Sequence, residues 1–130
     1  MTINTSKKNK ELVSKFTRKF KLGSENHIAR MAFAYSISSS MIDSDPNQME
    51  LSKIQDSGGK VYPKSVFFGK HFNLYCGLIC VLHKLHSTDK NIPKYIKMHV
   101  DNGLELIDRK LHTQDYNEPI DFIQGLIKNH

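Results

Sequence analysis

Apolar positions along this chain recur at two periods, and the switch between them marks its elements. Ile3 alternates with polar Thr2 and Asn4, a period of two that predicts a short half-buried strand. From Lys7 to Leu22 the period becomes helical. Leu12, Val13, Phe16 and Phe20 fall on one face at spacings of three and four. Ser6 precedes that run and predicts its N-cap, because a serine hydroxyl accepts a free amide of the first turn. Gly23 stands where a helix end favours a left-handed residue, and Ser24 is placed to cap a second helix reaching about Ser39. That helix puts Ile28, Met31, Ala32, Tyr35 and Ser39 on one stripe.

After Ser40 a polar loop turns at Asp45-Pro46. Met49, Leu51 and Ile54 nearly alternate with polar residues, which predicts a short strand. Val61-Tyr62 predicts a second one ending at Pro63, and the Asp56-Ser57-Gly58-Gly59 turn joins the two as a loose hairpin. Phe72 to Leu85 is the most apolar stretch and predicts a central buried helix. Gly77 and Cys80 on it would let another helix approach, which also suits an oligomer contact. Asn91 caps a further helix with Pro93 in its first turn. Ile96, Val100, Leu104, Ile107 and Leu111 repeat along it at spacings of three and four. Tyr116-Asn117-Glu118-Pro119 begins a last short helix, with Ile120, Ile123, Leu126 and Ile127 as its apolar face. The fold class that follows is mainly α: one compact helical domain over residues 1–130, with an N-terminal strand-helix-helix unit and little strand.

Charge changes the picture from fold to partner. The net charge of +6 and the pI of about 9.3 favour a polyanion, though only through non-specific attraction. The clustering says more than the total. Lys8, Lys15, Arg18 and Lys19 share a face beside the apolar one, interrupted by Glu11, with Lys7, Lys10 and Lys21 around its rim. The start of the second helix lies next to them, and its amides and positive dipole end suit a phosphate oxygen. Lys15, Arg18, Lys19 and Lys21, with the Gly23-Ser24 turn, are therefore the expected phosphate contacts. Lys60, Lys64 and Lys70 form a second set, interleaved with Tyr62, Phe67 and Phe68, which read as core aromatics. The plain alternative is that a basic helix is a solvated face. No run is long enough to span a bilayer, and the polar stretch Met1 to Lys10 is not a secretory signal, so the expected location is the cytoplasm with no membrane partner.

Catalytic chemistry is not readable. No phosphate-binding loop, dinucleotide fingerprint or paired CxxC motif occurs. Cys76 and Cys80 read as buried thiols, since a disulfide four residues apart on a helix is geometrically awkward. A zinc site on Cys76, Cys80 and His83, completed by His71, His86 or His99, is the weaker reading, because three ligands on one helix seldom surround a metal. His99 and Asp101 are two apart and so do not face each other. Tyr62, Tyr75 and Tyr95 carry no mark of an activated nucleophile. The expectation is no metal, no cofactor and no identified catalytic residue, with Mg²⁺ or Mn²⁺ required only if the protein nicks DNA.

The strand, basic helix and second helix resemble the unit of ribbon-helix-helix DNA-binding proteins. That resemblance implies a sequence-specific regulator whose Thr2 and Asn4 lie in a two-chain ribbon. Longer strings resemble the DndE family of DNA phosphorothioation proteins: Leu22-Gly23-Ser24-Glu25-Asn26 with Ile28 to Ala34, the segment Gly59 to Gly69, and Ile92 to Leu106. This resemblance implies a small helical protein that forms homo-oligomers, tetramers among them, and binds duplex DNA, notably nicked duplex. The partners it implies are a cysteine desulfurase, an ATP-pyrophosphatase-like sulfurtransferase and an ATPase. A related single-strand system uses a similar small subunit as a DNA nickase, which makes a metal-dependent nickase the alternative. The common family form has a tryptophan before a mid-chain Phe-Gly-Gly and a His-Leu-His-Arg-Gly string near the end. This chain has no Trp and reads Phe67-Phe68-Gly69 and Met98-His99-Val100-Asp101-Asn102-Gly103. It resembles a divergent branch, on the side of the nickase subunit.

Overall fold

The computed structural model describes residues 1–43 and 49–113. The expected Asp45-Pro46 turn and the expected helix from Tyr116 to Ile127 lie outside them. Five helices and two short strands occupy the described residues. They are β1 (Thr2–Asn4), α1 (Lys7–Lys19), α2 (Glu25–Asp43), β2 (Val61–Pro63), α3 (Lys64–Phe68), α4 (Phe72–His83) and α5 (Ile92–Thr113), with a 3-10 turn at Leu51–Lys53 before β2. Among these residues no helix is long and apolar enough to cross a membrane.

The mainly α class with an N-terminal strand holds, but the strand's partner differs from expectation. β1 pairs antiparallel with β2 of its own chain, Ile3 opposite Tyr62. The Leu51–Lys53 segment turns as a 3-10 helix and forms no hairpin with it. The physical reason lies at the two residues just past the register. The Thr5 amide donates to the Lys60 carbonyl at 2.9 Å, and the Gly59 amide donates to the Thr5 carbonyl at 3.0 Å. A Cβ on Gly59 would overlap the Ser6 carbonyl, so only glycine lets the two backbones meet. Ile3 and Tyr62 are buried side by side beneath this ribbon, which ties β1 within the chain.

The core is built on α2 and α5, the two longest described helices. Ile28, Ala29, Ala32, Phe33 and Ile37 of α2 meet Ile96, Val100, Leu104 and Ile107 of α5, all buried. The buried stripe of α2 is thus offset from the expected one, which missed Ala29, Phe33 and Ile37 and included the half-buried Met31 and Tyr35. A Cβ on Gly103 would strike the backbone of Ala32, so this glycine sets how closely the two helices approach. Phe67 stacks edge-on to Phe33 and Phe68, and Tyr62 lies beside it, so the mid-chain aromatics are core as expected. Arg30 holds α3 in place by donating to the carbonyls of Phe67 at 2.8 Å and Val66 at 2.7 Å.

The Phe72 to Leu85 stretch is not central. α4 lies on the outside and fully buries only Ile79, while Leu74 and Val81 face outward. Cys76 and Cys80 are correspondingly half-buried free thiols rather than core ones. Hydropathy alone cannot distinguish a helix covered by its own chain from one with an apolar face left open.

Candidate nucleic-acid interface

α1 is seated by polar contacts at its start and apolar ones along its body. Ser6 is the N-cap, accepting the Asn9 amide at 3.3 Å. Asp101 of α5 accepts from the Ser6 amide and from the Asn9 side chain, both at 2.9 Å. Asp101 also pairs with Lys97, both buried. Asp56 accepts from the Lys7 and Gly58 amides, and those two hydrogen bonds hold its carboxyl below the usual range. Burial pushes Glu105 up, but hydrogen bonds from Gln55, Lys8 and Asn9 outweigh that and leave it lowered. Val13, Phe16 and Phe20 then close the apolar side.

This seating divides the lysines of α1 into two rows. Lys8 pairs with Glu105 at 3.1 Å and Lys15 with Asp108 at 3.5 Å, so the row facing α5 is neutralised within the chain. Arg18, Lys19 and Lys21 are exposed beyond it, with one guanidinium nitrogen of Arg18 donating back to the Ser14 carbonyl at 3.4 Å. The turn that follows carries two left-handed residues, Lys21 at φ 53° and Gly23 at φ 80°. The helix therefore ends at Lys19, three residues earlier than the spacing predicts. A lysine in the left-handed region costs about 1 kcal/mol, and here it swings the Lys21 side chain out to the turn's rim.

The start of α2 is less open than expected. Gly23 and Ser24 are exposed, and the Ser24 hydroxyl turns to the Asn26 side-chain oxygen. Glu25 in the first turn accepts from the Ser14 hydroxyl at 3.2 Å and pairs with Lys60 at 3.1 Å. The dipole end thus already has a carboxylate beside it. Lys60 serves that carboxylate, and Lys64 lies 3.9 Å from the centroid of the Phe72 ring. Lys70 is exposed after Gly69. The second set is therefore spread across different local tasks, whereas Arg18, Lys19 and Lys21 form one short run.

A different cluster has the residue types of a hydrolase. The Ser36 hydroxyl lies 2.7 Å from His99 Nδ1, and His99 Nε2 lies 2.8 Å from His83 Nε2. Asn102 donates to Ser36 Oγ at 2.8 Å. Asn102 is the fixed donor of this cluster, and the tautomers of His99 and His83 set which group donates along the rest. Burial, with the neighbouring His83, lowers His99 to about 3, and burial also lowers His83. Ser36 and His99 have no exposed surface, so no phosphodiester reaches the hydroxyl and the cluster acts as a polar clamp joining α2, α4 and α5. No periodicity announces it, because Ser36 and His99 occupy apolar-face positions as polar residues.

His99 and Asp101 belong to separate networks, as their spacing predicts. Tyr62 donates its hydroxyl to the Glu25 carbonyl at 2.9 Å, and burial with the nearby Glu25 charge pushes it well above its ordinary value, the reverse of an activated nucleophile. Among the described residues no group of three or more His, Cys, Asp or Glu is placed to hold a metal ion.

A family model described as DNA sulphur modification protein DndE matches residues 2–115. No curated protein and no solved structure matches.

Proposed function

The chain belongs to the DndE family of DNA sulphur modification proteins, and on that premise we propose that it is the subunit that holds the DNA backbone. The observation that carries this reading is the division of α1. Its inward lysines meet carboxylates of α5, while Arg18, Lys19 and Lys21 are exposed together at the Gly23-Ser24 turn. Three adjacent cations grip phosphates without regard to base, which suits a modification made on the backbone itself. Lys15 contributes weakly, because Asp108 competes for it. Lys60, Lys64 and Lys70 form a secondary path, with Lys60 shared with Glu25.

In this reading the protein works in the cytoplasm as a homo-oligomer. It presents duplex DNA, nicked duplex in particular, to the cysteine desulfurase, sulfurtransferase and ATPase of the system, and it needs no cofactor of its own. Holding is favoured over cutting because the one serine–histidine pair described is sealed in the core.

A mobility-shift titration of intact and singly nicked duplexes of the same sequence tests the proposal. Both should shift at low salt, the nicked one more strongly, and random-sequence DNA should compete equally. A supercoiled plasmid should remain supercoiled in Mg²⁺ or Mn²⁺. Failure to shift any duplex would overturn the reading, and metal-dependent relaxation that EDTA blocks would replace it with nicking.

A further inference from the structure

We propose that Cys76 and Cys80 form a binding site for a soft monovalent metal ion of the Cu(I) class, in the groove between α4 and the start of α5. The groove measures about 540 Å³ and is lined by Phe72, Cys76, Gly77, Cys80, Ile92 and Pro93. Both cysteines are free, half-buried thiols. Four residues apart on a helix they share one face, with Cβ atoms about 5–6 Å apart. A metal held in line between two thiolates needs the sulfurs about 4.6 Å apart, twice a metal–thiolate bond of about 2.3 Å. The spacing that makes a disulfide awkward therefore suits an ion between the sulfurs. Gly77 has nothing within 4 Å of where a Cβ would stand, so the groove stays open beside them.

The neighbouring donors decide the class of ion. Among the described residues no histidine lines the groove. His83 and His99 turn their Nε2 atoms to each other at 2.8 Å, and His86 Nδ1 lies 2.8 Å from the Thr88 hydroxyl. Asp89 is the only carboxylate among the described lining residues, and it already accepts from the Asn91 amide at 2.8 Å. Zn²⁺ favours a full tetrahedral set, and Mg²⁺ or Ca²⁺ a shell of oxygens, so neither finds its donors here. Two thiolates alone satisfy a soft ion such as Cu(I).

Protonation and charge agree with that assignment. Burial pushes the Cys76 thiol up, and the charge of Cys80 adds to it, against the pull of Lys64. Such a thiol keeps its proton at neutral pH and is a poor nucleophile, which fits a metal ligand better than a reactive cysteine. Binding exchanges protons for metal: two thiols and one Cu(I) give a bis-thiolate complex of charge −1 and two protons. Lys64, whose charge acts on Cys76, and Lys90, which lines the groove, are placed to offset the charge of the complex.

The site is independent of the DNA-binding reading, and its test contains no DNA. The reduced full chain is titrated without oxygen into the coloured Cu(I)–bicinchoninate complex. It should withdraw one Cu(I) per chain and release about two protons per ion at neutral pH. Cys76→Ser and Cys80→Ser should each weaken binding by more than the loss of an outer-shell partner does, over about a hundredfold. Circular dichroism should show unchanged helix content in both. His83→Gln should bind as tightly as the natural chain, because His83 faces His99 and not the groove. Failure to withdraw Cu(I), binding without proton release, serine variants that keep the affinity, or a His83→Gln variant that loses it would each overturn the proposal. Displacement of the bound Cu(I) by an equal concentration of Zn²⁺ would overturn it too, by making the site a tetrahedral one.

Discussion

α1 and α4 are helices of 13 and 12 residues that both pack on α5, and they leave opposite surfaces open. α1 is the more polar, yet it is seated by three fully or nearly buried positions, Asn9, Val13 and Phe16, and by hydrogen bonds that Asp101 and Asp56 accept from the Ser6 and Lys7 amides. α4 is the more apolar, yet it fully buries only Ile79. Overall polarity therefore does not tell how firmly a helix is held. What counts is whether each group finds its partner inside the chain. Lys8 and Lys15 do, whereas Lys19, Lys21, Leu74 and Val81 are turned outward, as is Arg18 apart from its one bond to the Ser14 carbonyl. Those outward groups leave a cationic surface on α1, where a polyanion is expected, and an apolar one on α4.

The largest expected effect erases the comparison. Both helices depend on the spacing of α2 and α5, which Gly103 sets against Ala32. Gly103→Val should cost about 3 kcal/mol or more, since it forces backbone apart rather than displacing a side chain. Thermal unfolding should show a fall of many degrees, with DNA binding and self-association lost together. Loss of only one would mean that the two do not share a scaffold.

Acid should separate the two helices. His99 is buried and lowered to about 3, against 6.5 when exposed, so the unfolded chain takes up the proton first. Stability is full above about 6.5 and falls as pH drops toward 3, by about 2 kcal/mol at pH 5. The carboxylates seating α1 behave differently. Asp56 and Glu105 are lowered from values near 4, so their support persists above about pH 4 and is lost only below it. Amide exchange at pH 5 should therefore quicken around His83 in α4 before it quickens in α1. Equal loss in both would mean that the His83–His99 contact and the carboxylates at α1 are not separate supports.

The sequence made some of this legible. The apolar repeat of α5, the Ser6 cap and the strand at Ile3 are local signals, and local signals survive folding. The pairing of β1 with β2 was not legible, because it joins residues nearly sixty apart through a glycine whose role is to admit the Ser6 carbonyl. Nor was the Ser36–His99–His83 clamp, since a buried polar residue reads as a break in an apolar stripe until its partner is known. The cationic row was visible as composition. Its division into neutralised and outward halves required the acids of α5, Glu105 and Asp108, which sit about ninety residues further along.

The smallest expected effect sharpens that division. Lys8→Ala with Lys15→Ala removes two partly exposed pairs and should cost under about 1 kcal/mol in a urea titration. A larger loss would mean that the seating of α1 is electrostatic rather than apolar and hydrogen-bonded.

The most direct measurement is the salt dependence of affinity for nicked duplex, compared among the natural chain, that inner pair and the outer set Arg18→Ala, Lys19→Ala and Lys21→Ala. Removing the outer set should lower the log–log slope by about 2.7, roughly 0.9 per phosphate contact. The inner pair should leave the slope almost unchanged. Equal slopes for both variants, or a larger drop for the inner pair, would contradict the assignment of the DNA-facing charge to the outward row.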